Sequence, residues 1–336
     1  MAAPKISNDS KAISTELTRL LGCKYPIIAG PMFLVSYVDL VVKVSEAGGI
    51  GGTPSLNWRT AEEFEAAVKE IKSLTSKPFA VNLIVNAANS RQVPDLDICV
   101  RHKVPLVITS LGNPKEAIRR MHEVGCKVFC DVTTLKYAQK CEELGADGVI
   151  AVSSGAGGHA GPTSPLVLIP HLKRHLKIPV IAAGGIATGE QIAAALLLGA
   201  GGVQIGTRFI ASNEARVDAN YKNAIVNASP DDIVLTKKIS GVPVAVINTP
   251  YIKKMGLEIT KFEEFLHTNE RTKKYMKMLR HYIGSESLRN AVVGPTWKEV
   301  WSAGQGSGLI DDILPAAEIV ERLVKEYHEA VSRLPA

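Results

Sequence analysis

A chain of 336 residues with 46% hydrophobic and 21% charged residues can build a full core, as one large barrel with an appendage or as two domains, and is not a disordered protein. The formal net charge of +6 suits an anionic small ligand. With 5% aromatics and no arginine-rich tract interleaved with stacking residues, it makes no case for nucleic acid. The five cysteines (Cys23, Cys99, Cys126, Cys130 and Cys141) form no CxxC pair and no zinc-type spacing, so reduced thiols in a cytoplasmic protein are the simplest reading. The polar opening "MAAPKISNDSKAIS" lacks the apolar core of a secretory signal. The longest apolar stretch, "IAAALLLGAGGVQIG" (192–206), is broken by glycines and too short to span a membrane.

Strand-like runs alternate with helix-like segments from residue 25 to about 210. The strands are expected at 26–30, 49–53, 79–84, 105–109, 127–131, 148–152, 179–183 and 202–206. Most are near-continuous apolar runs, the pattern of parallel strands buried on both faces. Between them, 37–49, 60–74, 113–125, 135–145 and 188–199 carry helical periodicity and mostly end in glycine. Thr60 with Glu63 three residues on has capping-box spacing. Strand, helix and glycine stop, repeated, predict an α/β fold of the (βα)8 TIM-barrel type. The competing architecture, a doubly wound open sheet, fits less well, because there are eight units and no GxGxxG follows the first strand. A faint echo agrees: "ELGADGVIAV" (143–152) resembles "LLGAGGVQIG" (197–206).

The pattern changes after the eighth strand. The expected division is a barrel over 15–210, an added helical lid subdomain over 211–300, and a segment over 301–336 whose amphipathic helix returns to the barrel. Within the lid, 213–234 and 261–283 read as helices.

In such a barrel the chemistry belongs at the C-terminal ends of the strands. The end of the sixth strand runs into "SSGAGGHAGP" (153–162), where His159 stands among glycines. Glycines let a ligand approach the main chain, so this stretch reads as a loop pressed on a flat or anionic ligand with an imidazole over it. The ends of strands seven and eight, "AAGGIATG" and "IGTRF", are where barrels bind phosphate. His171 and His175, four apart, have no third ligand and read as structural. Arg208 reads as a structural ion-pair partner, and the basic run Arg271, Lys273, Lys274, Lys277 and Arg280 as a solvated helix face.

Seven segments in order now carry a resemblance: "AGPM", "AGGIGG", "FAVNL", "GAGGHAG", "IPVIAAGGIATGEQIAAALLLGA", "GVQIGTRF" and "WSAGQGSGLIDD". Together they resemble the nitronate monooxygenase (2-nitropropane dioxygenase-like) family, which also includes NAD(P)H:quinone reductases and FabK-type enoyl-acyl-carrier-protein reductases. The resemblance covers most of 22–210 and returns at 297–312. It implies FMN as cofactor. It further implies that Pro31, Met32 and Asn82 line the isoalloxazine and that Gly157 and Gly158 pack on it. Gly184, Gly185, Gly206 and Thr207 would hold the phosphate beside Ala183, Gln305 would reach the mouth of the site, and His159 would be the catalytic acid/base. Two positions depart from the family. Gly155 stands where members often carry Glu, and Asp131 lies near the flavin where some carry Lys; a carboxylate there would disfavour an anionic reduced flavin.

The leading expectation is an FMN-dependent nitronate monooxygenase that uses O2 to turn an alkyl nitronate into a carbonyl compound and nitrite. The first alternative is an NAD(P)H-dependent FMN reductase of quinones or enoyl thioesters, with the basic run docking an acidic carrier. The second is a binding barrel that has lost catalysis. Neither a membrane nor a nucleic acid is an expected partner. A homodimer is the candidate assembly.

Overall fold

The computed structural model describes residues 11–239, 243–258 and 300–334. Eight parallel strands pair in sequence order: β1 (Ile27–Ala29), β2 (Ile50–Pro54), β3 (Phe79–Ile84), β4 (Leu106–Ser110), β5 (Lys127–Val132), β6 (Gly148–Val152), β7 (Val180–Ala183) and β8 (Gly202–Ile205). β8 returns to β1, with Gln204 opposite Ile28, and this pairing closes the barrel and excludes the open sheet. Each strand lies within one residue of its expected run.

The helices α1 (Glu16–Leu21), α2 (Val38–Glu46), α3 (Ala61–Leu74), α4 (Gln92–Arg101), α5 (Lys115–Glu123), α6 (Leu135–Glu143), α7 (Pro165–His175) and α8 (Gly189–Leu197) accompany the strands. α1 precedes β1 and serves as a plug: Leu17 is fully buried in the barrel interior, and its N–H donates to Gly201 O at 3.2 Å. At the start of α3 only half of the expected capping box forms. Thr60 Oγ1 accepts from Glu63 N, but the Glu63 carboxylate accepts from Arg59 N instead of Thr60 N. Nothing in the helical periodicity announces α4. Its apolar pattern is interrupted by Pro94 and by Asp95, which is fully buried against Arg91 at 2.7 Å. The echo between 143–152 and 197–206 is structural. Gly145 and Gly199 both take positive φ, and the next residue, Ala146 or Ala200, donates back to Cys141 O or Ala195 O. The same stop precedes both strands, and only glycine takes that conformation without strain.

Past the barrel come α9 (Thr207–Ile210), α10 (Ala219–Val226), the antiparallel pair β9 (Ile233–Thr236) and β10 (Val244–Ile247), α11 (Pro250–Met255) and α12 (Ala316–Ser332). Here the helical expectation needs correction. Only 219–226 of the 213–234 segment is helical, and Ile233 already begins β9. The β-branched run Val244–Ile247 forms its partner strand. The helix expected over 261–283, with its basic run, lies outside the described residues. No helix among the described residues is long and apolar enough to cross a membrane.

α12 closes the wall against α8 as expected, and one glycine sets the distance. A Cβ on Gly189 would lie 2.3 Å from Leu323 O and from Tyr327 N, both backbone atoms of α12. Glu326 Oε2 also accepts from Gly189 N at 2.7 Å. Alanine would improve helix propensity by at most about 1 kcal/mol, whereas overpacking against backbone costs about 1–3 kcal/mol. Gly189→Ala should therefore lower the thermal midpoint. A midpoint equal to or above that of the wild type would show that α8 and α12 can separate freely.

Candidate functional site

Side chains alternate along a strand, so each barrel strand sends every second residue inward. Ile28, Ile50, Ala80, Leu106, Ile108, Phe129, Ile150 and Ile181 form the inner apolar packing. The same parity places the next inward residue of three adjacent strands at the C-terminal mouth: Asn82 on β3, Ser110 on β4 and Asp131 on β5. Gln204 faces inward from β8, because its neighbours Val203 and Ile205 pack outward.

Three of these residues form a chain. Asn82 Nδ2 donates to Ser110 Oγ at 2.7 Å and to Ile108 O at 3.1 Å. The Ser110 hydroxyl donates to Asp131 Oδ2 at 2.5 Å. Asp131 Oδ1 and Gln204 Oε1 are buried and have no hydrogen-bond partner among the described residues. Burial pushes the Asp131 carboxyl up to about 6, against the hydrogen bond from Ser110, which favours the charged form.

On the other side of the mouth the backbone is nearly bare. Ser153 N and Ser153 Oγ both donate to Ala183 O, tying the end of β6 to the end of β7. Ser154 N donates to Thr163 O, which closes the loop carrying His159. That loop meets segment 303–306 glycine to backbone. A Cβ on Gly304 would lie 2.3 Å from Gly155 O, and one on Gly157 would lie 2.8 Å from Ala303 C. Gln305 N donates to Gly155 O at 3.0 Å, and Gly304 N donates to the Thr207 hydroxyl at 3.0 Å. Two glycines keep an open side: a Cβ on Gly158 would meet nothing within 4 Å, and one on Gly185 would meet only Gly155 O at 4.0 Å. Both have positive φ.

The strand β10 holds this loop. Gly158 N donates to Ala245 O at 3.0 Å and Ala245 N donates to Gly158 O at 2.8 Å, so β10 pairs with the histidine loop on the edge opposite β9. Further along the same edge, Ile247 N donates to Trp301 O. Tyr221 of α10 stacks on Trp301 and donates its hydroxyl to Ser302 O. His159 is exposed, yet the protein around it shields the ring enough to hold its pKa below the ordinary histidine value.

The N-terminus of α8 is already capped. Gln191 Oε1 accepts from Ala187 N and Thr188 N, and Gln191 Nε2 donates to Gly185 O. The backbone donors remaining for an anion are therefore those of Gly184–Gly185 and of the first turn of α9, which begins at Thr207 after Gly206. Met32 Sδ lies 3.6 Å from where a Gly206 Cβ would sit, so the end of β1 borders the end of β8. Asn57 fixes the β1 loop: its Oδ1 accepts from Leu34 N and its Nδ2 donates to Ser36 O. Gly52 packs on Pro31 in the same loop.

The chain belongs to the nitronate monooxygenase family. Its sequence matches the family description "Nitronate monooxygenase" over residues 14–326. It is similar to FabK from Thermotoga maritima, with 37% identity and a TM-score of 0.81 over 96% of this chain and 98% of that one. It is also similar to a nitroalkane oxidase from Streptomyces ansochromogenes, with 27% identity and a TM-score of 0.77 over 95% and 100%. A relative from Mycobacterium tuberculosis, named (3aS,4S,5R,7aS)-5-hydroxy-7a-methyl-1-oxo-octahydro-1H-indene-4-carboxyl-CoA dehydrogenase, is 30% identical over 93% and 95%. The protein is an oxidoreductase.

In this nitronate monooxygenase family member Pro31, Met32, Asn82, Asp131, Gly157, Gly158, His159, Ala183, Gly184, Gly185 and Gly206 lie on strand ends or on the loops that follow them at the barrel mouth, Thr207 opens α9, and Gln305 lies against the histidine loop. Arg208 is structural as expected, ion-paired with Asp312 at 3.0 Å. Among the described residues no cluster could hold a metal ion. Sequence reasoning missed the parts played by Ser110, Gln204, Asn57 and Ala245. The first two carried a signal: each is a polar residue at an inward position of a strand that is otherwise apolar inside.

The β10 clasp is testable by removing one donor. Ala245→Pro deletes the N–H that bonds Gly158 O but leaves the ladder to β9 on the opposite edge. For a bond worth about 1 kcal/mol, hydrogen exchange across 154–163 should speed up several-fold while the thermal midpoint stays close to wild type. Unchanged exchange in that loop would mean that β10 does not hold it.

Proposed function

We propose that this protein is an FMN-dependent nitronate monooxygenase that converts an alkyl nitronate and O2 to a carbonyl compound and nitrite. The residues of the mouth fit the cofactor. Asp131 Oδ1 and Gln204 Oε1 are buried acceptors in want of a donor, and a ring bearing N–H and carbonyl groups suits them. Gly158 and Gly185 leave open sides where a Cβ would intrude. Asn82, Pro31 and Met32 would border the ring. Gly157 and Gly158 would lie against it, and Ala183 and Gln305 would flank it. Gly184, Gly185, Gly206 and Thr207 would hold the phosphate. Among the described residues the mouth carries one such glycine pair of loops, which favours FMN over FAD. FMN, when bound, takes electrons from the substrate and passes them to O2.

The observation that carries the nitronate reading is His159. Its loop is clasped between β10 and segment 301–306, and its ring is held below the ordinary histidine pKa. At neutral pH it is therefore a neutral imidazole, which suits a base that removes the acidic α-proton of a nitroalkane. The sign of the pH dependence follows. Turnover of the neutral nitroalkane should fall as pH drops through the depressed His159 pKa and level off above it.

A second reading has its own support. The Mycobacterium tuberculosis relative, at 30% identity, is named for a carboxyl-CoA substrate, and the FabK similarity, at 37%, goes with the enoyl-reductase branch of the sequence resemblance, so reduction of an enoyl thioester by NAD(P)H is the competing activity. That reaction would ask His159 to donate a proton, a task for which a lowered pKa is less suited. Anaerobic addition of NADH, NADPH and a nitronate to the yellow protein separates the two: rapid bleaching by a nicotinamide supports the reductase, and nitronate-dependent O2 uptake supports the monooxygenase.

His159→Asn should cut turnover of the neutral nitroalkane by roughly 10²–10⁴-fold, the usual worth of a positioned base. It should spare most activity on the pre-ionised nitronate and leave flavin content near normal. Equal losses on both substrate forms would reject proton abstraction. Gly158→Val should empty the site of flavin while the barrel still melts cooperatively, because a branched side chain is penalised at positive φ and would fill the open side. Stoichiometric flavin in that variant would place the loop elsewhere.

A further inference from the structure

We propose that Asp131, backed by Ser110 and Asn82, is the positioning residue through which this chain sets how easily its flavin is reduced, by taking up a proton from solvent when the flavin gains electrons. The inference rests on the flavin reading above and goes beyond it, because it concerns a carboxylate where some relatives carry Lys.

The geometry is one-sided. Oδ2 of Asp131 is occupied by the Ser110 hydroxyl at 2.5 Å, and Ser110 Oγ in turn accepts from Asn82 Nδ2 at 2.7 Å. Ser110 cannot turn away without abandoning both bonds, so Oδ2 stays occupied. Oδ1 is buried without a partner. A buried carboxylate oxygen with no donor is costly, so Oδ1 needs either its own proton or a ligand. Asp131 follows Phe129 in the inward parity of β5, so Oδ1 belongs to the barrel lumen and not to the helix layer.

Among the described residues no charge on the neighbouring elements competes for control. Only burial and the Ser110 hydrogen bond perturb Asp131. The other titratable groups brought to this end are the Cys130 thiol, on the same strand but facing the outer layer, and His159 on the loop after β6; neither acts on Asp131 as a charge. Cys130 is itself kept protonated by Cys141 and by burial. Asp131, already raised to about 6, therefore responds mainly to what happens at its own free oxygen. Added negative charge on a bound ring raises its pKa further, so it binds a proton on reduction; its ionised form in turn makes reduction harder.

The test is a dithionite titration of the flavin-loaded protein in weak buffer, counting protons taken up per two electrons between pH 5 and 9. The wild type should take up one more proton than Asp131→Asn in a window that opens near pH 6 and extends upward. At neutral pH and fixed potential, Asp131→Asn should shift the reduced-to-oxidised ratio upward by about tenfold or more, the scale of one nearby charge. Ser110→Ala keeps the carboxyl but removes the bond that favours its charged form, so its window should move to higher pH; this variant keeps the test decisive if Asp131→Asn loses flavin. A purely structural Asp131 would change flavin affinity without moving the proton count. Protein that holds flavin but whose proton uptake ignores both substitutions overturns this inference alone. Protein that reconstitutes with no flavin overturns the flavin reading together with it.

Discussion

The site depends on one constraint: eight short parallel strands that close a ring must alternate inward and outward at every residue. The lower inward positions are apolar and close-packed around Phe129, with Leu17 of α1 sealing the bottom. Once that layer is filled, the next inward residue on each strand can only face the mouth. Asn82, Ser110, Asp131 and Gln204 are polar because they occupy those positions, where the core ends and a ligand can begin. Their geometry comes from the sheet and not from mobile loops. A change that slipped the register of one strand would remove the whole chain of hydrogen bonds at once.

The opposite half of the mouth follows a second rule, that backbone can touch backbone only where no Cβ intervenes. Gly155, Gly157 and Gly304 let the histidine loop and segment 303–306 lie in direct contact. The strand β10 then adds two hydrogen bonds at Gly158. These contacts link residues far apart in sequence, and they explain why "AGQG" matters although it lies nearly 150 residues from His159. The Gly155 departure from the family belongs here as well. At φ +86, against Gln305 and Gly185, a larger residue would need a different backbone or a shifted neighbour.

The barrel was legible because its signals are local. Each strand is an apolar run, and most of the helices anticipated between them end in a glycine stop. The loop carrying His159 was legible because a histidine among glycines is unusual. The hairpin β9–β10 was not read, since its four-residue strands are too short for a period and are stabilised by partners elsewhere: Gly158 on one edge and segment 301–302 beyond it. The chain from Asn82 to Asp131 was also missed as a unit. Asn82 and Asp131 were noticed one at a time at strand ends, but their connection through Ser110 appears only when parity is followed across three paired strands. Asn57 was hidden for a different reason. Its work is to hold the backbone of residues 32–36, a task that any polar residue in a loop could be imagined to do.

Burial moves the two titratable groups of the mouth in opposite senses, carboxyl up and imidazole down, each toward its neutral form. What polarity remains is divided across the barrel. Unpartnered acceptors stand on β5 and β8, while the glycine backbone after β7 and the first turn of α9 after β8 offer N–H donors that α8, capped by Gln191 and Glu326, does not. A ligand that satisfies both halves must carry its anionic group at one end and hydrogen-bond donors at the other. A phosphate joined to an N–H-bearing ring has that polarity. A symmetric anion would leave Asp131 Oδ1 unpaired, and an uncharged ring alone would leave the glycine donors empty. The division of donors and acceptors thus restricts the ligand more tightly than the fold does, because the same barrel could be built with any residues at its mouth.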